Sequence, residues 1–502
     1  MGKAQCPCTV ELCSEAIALA HLRSSGAYCR ILYTFINREC NMHAGIKPRA
    51  SIGRQIRTMP NEIPATPAAN GGPPRKDLAL YQDLGRGPLT SYYRRISEKS
   101  APIADPPKNF FSRLASFATG HWWEFFSHVI DYVGSPKHEF QTYESESGVY
   151  EVDSDVSLAI AGDWGTGTDE AHEVMQAMVS HQAQYTIHLG DVYYVGDLPE
   201  LRANCLGEKV GRHTPVKWEP GTQGSFALNG NHEMYACGDA FFKHFLPTLG
   251  QKVLGTCKMS KQKASFFCLQ NKHWRVIGLD TGYNSSGLFF TVLNSLSKIK
   301  SIKWFRKVPY FKPSCRLEPK LLEWLSAVVK DNPDGTRPAT ILLSHHQYYS
   351  GFDDWYRIPG QQLATLFDKN QQMLWFWGHE HRLALYDAFR VKNGIDAYGR
   401  CVGHGGMPVD RGRGPDIHDC KCILWDNRRY DNDEHLNVGY NGFATLRFDG
   451  PKLKVAYYDL KDKLLLTEEW QTDGKGTLRG PHFSDISDEL NKHDPTYIKN
   501  HS

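Results

Sequence analysis

Five short apolar runs in the sequence are each followed by residues that could bind a metal ion. The residues after these runs are Asp163; Asp191; Asn231 with His232; His345 with His346; and His379 with His381. Two carboxylates, an amide oxygen and several imidazoles form a mixed oxygen and nitrogen set that suits Mn, Fe or Zn better than Ca. Two cations held roughly 3.5–4 Å apart need a shared anion and can drive phosphoester hydrolysis. Asp191 is our candidate for that bridge.

Each of these residues also has an ordinary structural explanation. An aspartate beside glycine can cap a helix, and an asparagine can stabilise a turn. Gly378-His379-Glu380-His381 could be a polar loop. Turn chemistry does not readily explain five such loops in one chain, each directly after a strand-like run, so together they favour a metal site.

The runs themselves predict the elements that carry these residues. Each has four to six apolar residues, the length of a buried strand, and helical segments alternate with them. That order is typical of an α/β fold, in which functional residues follow the carboxyl ends of the strands. After residue 434, two alternating runs joined by Asp449-Gly450 predict an antiparallel hairpin that completes a second sheet.

Five short blocks in chain order resemble those of the calcineurin-like metallophosphoesterases, and most closely the purple acid phosphatases. They are Gly162-Asp163-Trp164-Gly165, Gly190-Asp191-Val192-Tyr193-Tyr194, Gly230-Asn231-His232-Glu233, His345 after "ILLS", and Gly378-His379-Glu380-His381. Gly165 stands two places after the first Asp and Tyr194 three places after the second, as in the purple acid phosphatases. The resemblance covers residues 155–460 and implies a four-layer αββα sandwich.

The resemblance also implies how the ligands divide between two metal ions. The first ion would take Asp163, Asp191, Tyr194 and His381; the second would take Asp191, Asn231, His345 and His379. It implies iron in the first position and Fe, Zn or Mn in the second, and a Mn or Zn pair is the alternative if Tyr194 does not ligate. Hard anionic oxygens in the first set agree with a cation of high charge.

The activity implied is hydrolysis of phosphomonoesters, by attack of a metal-bound hydroxide on phosphorus. His232 would donate a proton to the leaving oxygen or stabilise its charge, and Glu233 would orient His232 from behind. His346, Arg382 and His404 are weaker candidates for contacting phosphate. His346-Gln347 replaces the usual continuation with proline after the ligand histidine, so the resemblance does not identify the substrate, which could be a phosphorylated small molecule or protein.

Outside residues 151–470, which should form the metallophosphoesterase domain, we expect three other segments. Residues 1–75 read as a leader with a Pro/Gly-rich linker, residues 76–150 as an N-terminal helical extension docked on the domain, and residues 471–502 as a polar tail. A basic stretch at 289–316 resembles an insertion, and it could bind an anionic polymer or lipid headgroup or be a solvated face. The net charge of +3 gives no global reason to expect nucleic acid. Without a secretory apolar region or a membrane-spanning run, the expected location is the cytoplasm, and organelle import is the alternative because the first sixty residues are rich in Arg and poor in acidic residues.

Three rival functions remain open at this point. A phosphodiesterase or nuclease on the same scaffold would make use of the basic stretch. A non-catalytic scaffold would keep the fold without the metals, although the ligand set looks complete. A metalloprotease is a poor fit, because Gly378-His379-Glu380-His381 lacks the HExxH spacing that places both imidazoles on one helical face.

Overall fold

A computed structural model gives the fold of this chain. It describes residue 132 and residues 135–144, 147–193, 195–210, 215–253, 255–285, 313–411, 414–415, 420–430 and 438–502. These residues belong to one of two units of the chain, Arg75–Ser502.

The described strands and helices alternate through the first half of the fold, and strands dominate the second. In chain order the strands are β1 Val149–Glu151, β2 Ser157–Ala161, β3 Tyr185–His188, β4 Gly224–Ala227, β5 Gly250–Lys252, β6 Met259–Lys261, β7 Phe267–Gln270, β8 Trp274–Leu279, β9 Ala339–Ser344, β10 Gln372–Trp377, β11 Leu383–Arg390, β12 Asp396–Val402, β13 Val409–Asp410, β14 Cys422–Trp425, β15 Val438–Gly439, β16 Gly442–Asp449, β17 Lys452–Asp459, β18 Leu464–Thr472, β19 Leu478–Ser484 and β20 Asn491–Lys492. The helices are α1 Asp169–Ser180, α2 Leu198–Asn204, α3 Asn231–Tyr235, α4 Pro319–Val328, α5 Arg357–Leu363 and α6 Pro495–Asn500, with a π-helical turn at Phe241–Phe245 and a 3₁₀ turn at Leu246–Thr248.

Two large mixed sheets organise these strands. One has the order β1-β7-β8-β9-β10-β12-β11-β14-β20, and the other has the order β19-β18-β17-β16-β2-β3-β4-β5-β6. Neighbours β2, β3 and β4 are parallel, and so are β8, β9, β10 and β12. Each sheet therefore has a block of parallel strands whose carboxyl ends share one edge, where an α/β fold places its functional residues.

Successive side chains of each strand point to opposite faces of its sheet, so each sheet packs against a different layer on each side. In β2, Leu158 and Ile160 face the cluster between the sheets, whereas Ala159 and Ala161 face a second cluster. That second cluster contains Val174 of α1. In β10, Leu374 and Phe376 lie between the sheets, and Trp375 and Trp377 pack on the far side with Leu321 and Leu325 of α4. This is a helix-sheet-sheet-helix stack, so the four-layer αββα prediction is confirmed.

The predicted hairpin after residue 434 consists of β16 and β17, which pair antiparallel on either side of the turn at Asp449 and Gly450. The other edge of β16 pairs with β2. The polar tail predicted for residues 471–502 is wrong. Residues of β19 pair with β18 at the edge of one sheet, and β20 pairs with β14 at the edge of the other. Pro481 lies within β19, and an edge strand accepts proline because one side of its backbone needs no partner.

Most of the predicted N-terminal segments, and most of the basic stretch at 289–316, lie outside the described residues. Of residues 76–150, the described part near the domain includes β1, which pairs with β7. None of the described helices combines the length and the apolar character that crossing a membrane requires.

Candidate metal centre

The candidate ligands follow the parallel strands of both sheets. Asp163 follows β2, Asp191 follows β3, and Asn231 begins α3 just after β4. From the other sheet, His345 follows β9 directly, and His379 lies two residues after β10. Because the two sheets stack with these ends at the same side, side chains far apart in the sequence meet at one point.

The backbone at three of these residues lies in the left-handed region. The φ angles are 58° at Asp163, 75° at Asp191 and 65° at His379. Such conformations cost non-glycine residues about 1–3 kcal/mol each and persist mainly at functional sites. A glycine precedes each residue and allows the loops to approach: a Cβ added to Gly162 would lie 2.9 Å from Cα of Gly378. The loops are built to direct these side chains at one another.

A tyrosine hydroxyl marks the first ligand cluster. Tyr193 Oη donates to Asp163 Oδ1 at 2.8 Å and lies 3.1 Å from both Asp191 Oδ2 and His381 Nε2. His381 Nε2 is also 3.5 Å from Asp163 Oδ1. Three of the ligands predicted for the first metal therefore surround one phenol. That phenol is Tyr193, whereas the sequence-based candidate Tyr194 lies outside the described residues.

The second cluster meets at His345, which is fully buried. Its Nε2 lies 3.1 Å from Asn231 Oδ1 and 3.2 Å from Asp191 Oδ2. Its Nδ1 lies 3.0 Å from the carbonyl oxygen of Leu189, which makes Nδ1 the protonated nitrogen and leaves the Nε2 lone pair for a ligand. Nitrogen atoms of His345 and His379 lie within 4.8 Å of each other.

The pKa values of His345 and Asp191 reflect the charges that surround them in the site. Burial lowers the pKa of His345, but the charges of Asp191, Asp163 and Glu233 and the hydrogen bond to Asp191 together outweigh burial and raise that pKa to about 9. Burial alone would raise the pKa of Asp191, yet His345 and His232 hold it well below its ordinary value. The negative charge around His345 thus favours a cation at this place, where a metal ion would compete with a proton.

The donor set fits metal ions. Asp191 Oδ2, Asn231 Oδ1 and the His345 lone pair are all acceptors, and they converge at about hydrogen-bonding distance. Ligand atoms of Asp163, Asp191 and His345 also lie within 4.8 Å of one another. Acceptors that converge in a buried site need a cation or a proton between them. The mixture of carboxylate, amide and imidazole suits Mn, Fe or Zn.

His232 lies at the rim of the site. Its side chain is 18% exposed, and Nε2 is 3.7 Å from Asp191 Oδ2. Its ring contacts those of Tyr193 and Tyr235, with centroid distances of 4.2 and 4.8 Å. His232 N also donates to Asp191 Oδ1 at 3.0 Å, so the histidine and the shared carboxylate are tied together.

Glu233 supports the backbone of this loop instead of the His232 ring to which sequence reasoning assigned it. Its Oε2 accepts from Gly230 N at 2.8 Å and from Asp191 N at 3.3 Å. In the first contact, the side chain of Glu233 accepts from the backbone N–H of the N-cap residue Gly230, as the third residue of a helix does in a capping box. Burial and the charge of Asp191 raise the pKa of Glu233 to about 8. Glu233 therefore fixes the two loops that carry Asp191 and Asn231.

The three weaker substrate candidates lie in different surroundings. His346 is buried beside His379, with ring centroids 4.6 Å apart, and its Nδ1 is 3.1 Å from Thr281 Oγ1. Arg382 stacks on Phe352, with 4.0 Å from Cζ to the ring centroid. His404 is 1% exposed, and neither of its ring nitrogens has a hydrogen-bond partner among the described residues. Of the three, the structure brings His346 next to the ligand histidines.

Sequence reasoning missed two tyrosines and a threonine. Tyr193 reaches the first cluster, Tyr235 contacts both Asn231 and His232, and Thr281 Oγ1 accepts from His346 N at 3.0 Å. A tyrosine four residues after Asn231 in a helix was the one available signal, because residues i and i+4 share a helix face.

Comparison with protein families identifies the domain. Residues 156–383 match the model of the calcineurin-like phosphoesterase family. This range contains every ligand proposed for the two metals, from Asp163 to His381. The predicted superfamily is therefore confirmed for residues 156–383.

Solved structures with similar folds include a purple acid phosphatase from yellow lupin (Lupinus luteus) seeds, with 14% identity, a TM-score of 0.42, and coverage of 63% of this chain and 54% of that chain. Another is GAP50, the anchor in the inner membrane complex of Plasmodium, with 12% identity, a TM-score of 0.38, and coverage of 64% of this chain and 91% of that chain. A third is PhoD, with 10% identity, a TM-score of 0.37, and coverage of 69% and 76%. No curated protein sequence matches this chain.

Proposed function

We propose that this chain is a phosphomonoesterase that uses two metal ions. One observation carries the proposal: Asp191 Oδ2 lies at the junction of both ligand clusters. It is 3.1 Å from Tyr193 Oη on one side and 3.2 Å from His345 Nε2 on the other. A single carboxylate oxygen shared in this way is what two neighbouring cations need to remain close together.

The first metal would be held by Asp163, Asp191, His381 and a tyrosine, for which Tyr193 is our candidate in place of Tyr194. The second would be held by Asp191, Asn231, His345 and His379. When bound, such a pair supplies an activated water and neutralises the phosphoryl oxygens. Iron in the first position with Fe, Zn or Mn in the second suits the tyrosine, and a Mn or Zn pair is the alternative.

The chain's own groups would handle the leaving oxygen. His232 is the ring at the rim, partly exposed and in contact with two tyrosines, so it can reach a bound ester without losing its orientation. We assign it the role of donating a proton to the departing alkoxide. Glu233 and the carbonyl of Leu189 would keep the ligands in place, the first through the backbone of Asp191 and the second through Nδ1 of His345.

The proposed substrates are phosphomonoesters of small molecules or proteins. His346 would contact the phosphoryl group, because it is the weaker candidate that lies beside the ligands. The contribution of Arg382 and His404 stays a prediction, as does the cytoplasmic location.

The test compares hydrolysis of p-nitrophenyl phosphate with hydrolysis of bis-p-nitrophenyl phosphate by metal-analysed protein. We expect two metal ions per chain and faster turnover of the monoester. His232→Ala should reduce the rate by about 10²–10⁴-fold, the usual contribution of a general acid. The control is His172→Ala, which removes an exposed histidine of α1.

The alternative functions give different results. Faster turnover of the diester would establish a phosphodiesterase. Less than one metal ion per chain, without turnover of either ester, would indicate a non-catalytic scaffold. Wild-type rates in both Asn231→Ala and His232→Ala would refute the site assignment.

A further inference from the structure

Tyr235 contacts two residues of the candidate site from one position. It is the last residue of α3, four places after Asn231, and is 7% exposed. Asn231 Nδ2 donates to Tyr235 Oη at 2.8 Å. The edge of the Tyr235 ring meets the His232 ring at 4.8 Å with an interplanar angle of 61°. The hydroxyl and the ring therefore touch different neighbours.

The contact with Asn231 holds its side-chain amide in one position. Only the oxygen of an amide can bind a metal ion, because the nitrogen is a donor. With Nδ2 bound to Tyr235, Oδ1 faces the site and lies 3.1 Å from His345 Nε2. Without the phenol, Nδ2 would lose this partner, and rotation of the amide would move Oδ1 away from the second metal position.

The ring has a separate effect on His232. The ring of Tyr193 also contacts this imidazole, with ring centroids 4.2 Å apart. The edge-to-face arrangement of Tyr235 and His232 is a favourable geometry for aromatic rings, beyond the area that it buries. Removing the Tyr235 ring would take away its contact with the His232 ring and weaken the orientation of that ring towards the site.

We propose that Tyr235 is a positioning residue with two separable tasks, and this inference rests on the proposed function. Its hydroxyl fixes the amide of Asn231 for the second metal ion. Its ring fixes His232 for the leaving oxygen. The two tasks can be removed one at a time, because Tyr235→Phe deletes only the hydroxyl, whereas Tyr235→Leu deletes the hydroxyl and the ring.

The experiment measures metal affinity and leaving-group dependence separately. Zn²⁺ and Mn²⁺ are titrated into metal-free protein by calorimetry, and hydrolysis rates are compared for aryl phosphates with good and poor leaving groups. In Tyr235→Phe, we expect the affinity of the second metal to fall about 10- to 100-fold, the usual effect of losing a partner that orients a ligand. The first metal and the leaving-group dependence should not change.

Tyr235→Leu should show the same loss of metal affinity, together with a rate loss that is greater for poor leaving groups than for p-nitrophenol. The control is Tyr185→Phe, which removes a buried hydroxyl that bonds to Gln223 and Gln251. Tyr185 is the first residue of β3, whereas Asp191 follows the opposite end of that strand. It reports the general cost of losing such a group. Thermal unfolding of all three variants checks that they fold.

Two results would overturn the inference. One is a Tyr235→Phe protein that binds its second metal as tightly as wild type. The other is a Tyr235→Leu protein whose rate loss is equal for all leaving groups. Failure of the proposed function looks different, because the wild-type protein would then itself bind fewer than two metal ions.

Discussion

Replacing Gly230 by alanine should displace Asp191, the proposed shared ligand. A Cβ at this position would lie 2.0 Å from Asp191 Oδ1, whereas ordinary contact begins at 3.4 Å, so the carboxylate must move by about 1.4 Å. The backbone at Gly230 has φ −103° and ψ −164°, which alanine adopts without strain. The substitution therefore acts on the ligand and leaves the local backbone preference unchanged.

A shift of this size has two measurable consequences. Misplacing a reacting group by about 1 Å can reduce the rate about 10²-fold, and we expect at least that loss in hydrolysis of p-nitrophenyl phosphate. Both metals should bind more weakly, because Asp191 belongs to both clusters. Overpacking should also cost about 1–3 kcal/mol of unfolding free energy, measured by urea titration.

Gly414→Ala is the matched control, because its Cβ would lie 3.6 Å from Trp425, an ordinary contact. A Gly230→Ala protein with the metal content, rate and stability of Gly414→Ala would refute the geometry given for Asp191.

Three further predictions concern separate parts of the domain. Tyr193→Phe should abolish the colour of an iron-loaded protein while Tyr194→Phe keeps it; the visible absorption spectra decide, and the reverse pattern would return the ligand role to Tyr194. Burial raises the pKa of Asp280 from 3.8 to about 6. The protonated side chain therefore stabilises the fold fully below about pH 4, and this stability is lost as the pH rises through about 6. The loss amounts to about 3 kcal/mol of unfolding free energy. Relative to Asp280→Asn, wild-type unfolding free energy should fall over that range, and parallel pH profiles would contradict this. Glu468→Gln should cost about 3–5 kcal/mol in urea unfolding, because it leaves the buried Arg400 guanidinium without its carboxylate partner, and a cost below 1 kcal/mol would contradict the pairing.

The positions of the ligands along the chain could be predicted because parallel strands end at one edge. Asp163, Asp191 and Asn231 follow β2, β3 and β4 for that reason, and local sequence patterns are enough to find such strands. His345 and His379 come from the other sheet, and strand patterns alone do not show how two sheets stack. The resemblance of the five blocks to a known family predicted that His345 and His379 join the same site.

The direction of individual side chains could not be predicted. Tyr193 reaches the first cluster, and the left-handed backbone at Asp191, two residues before it, helps to set the direction of its side chain. That conformation depends on the packing of Gly190 against Gly230, a contact between loops that are distant in sequence. Glu233 is similar, since its partners are backbone N–H groups that carry no sequence signal.

The last thirty residues were misjudged for a related reason. Gly480 and Pro481 interrupt the apolar alternation of β19 and normally indicate a loop. Their strand is nevertheless stable because it pairs with β18, whose residues Trp470 and Leu466 belong to the core between the sheets. Tertiary pairing outweighs the local signal there.

If two metal ions share Asp191, the metal content per chain must change in a defined way in variants of the proposed ligands. Wild-type protein should hold two ions after removal of free metal. Asn231→Ala should keep the first and lose the second, whereas Asp191→Ala should lose both. Two ions retained by Asp191→Ala, or fewer than one ion in the wild type, would contradict the sharing of Asp191.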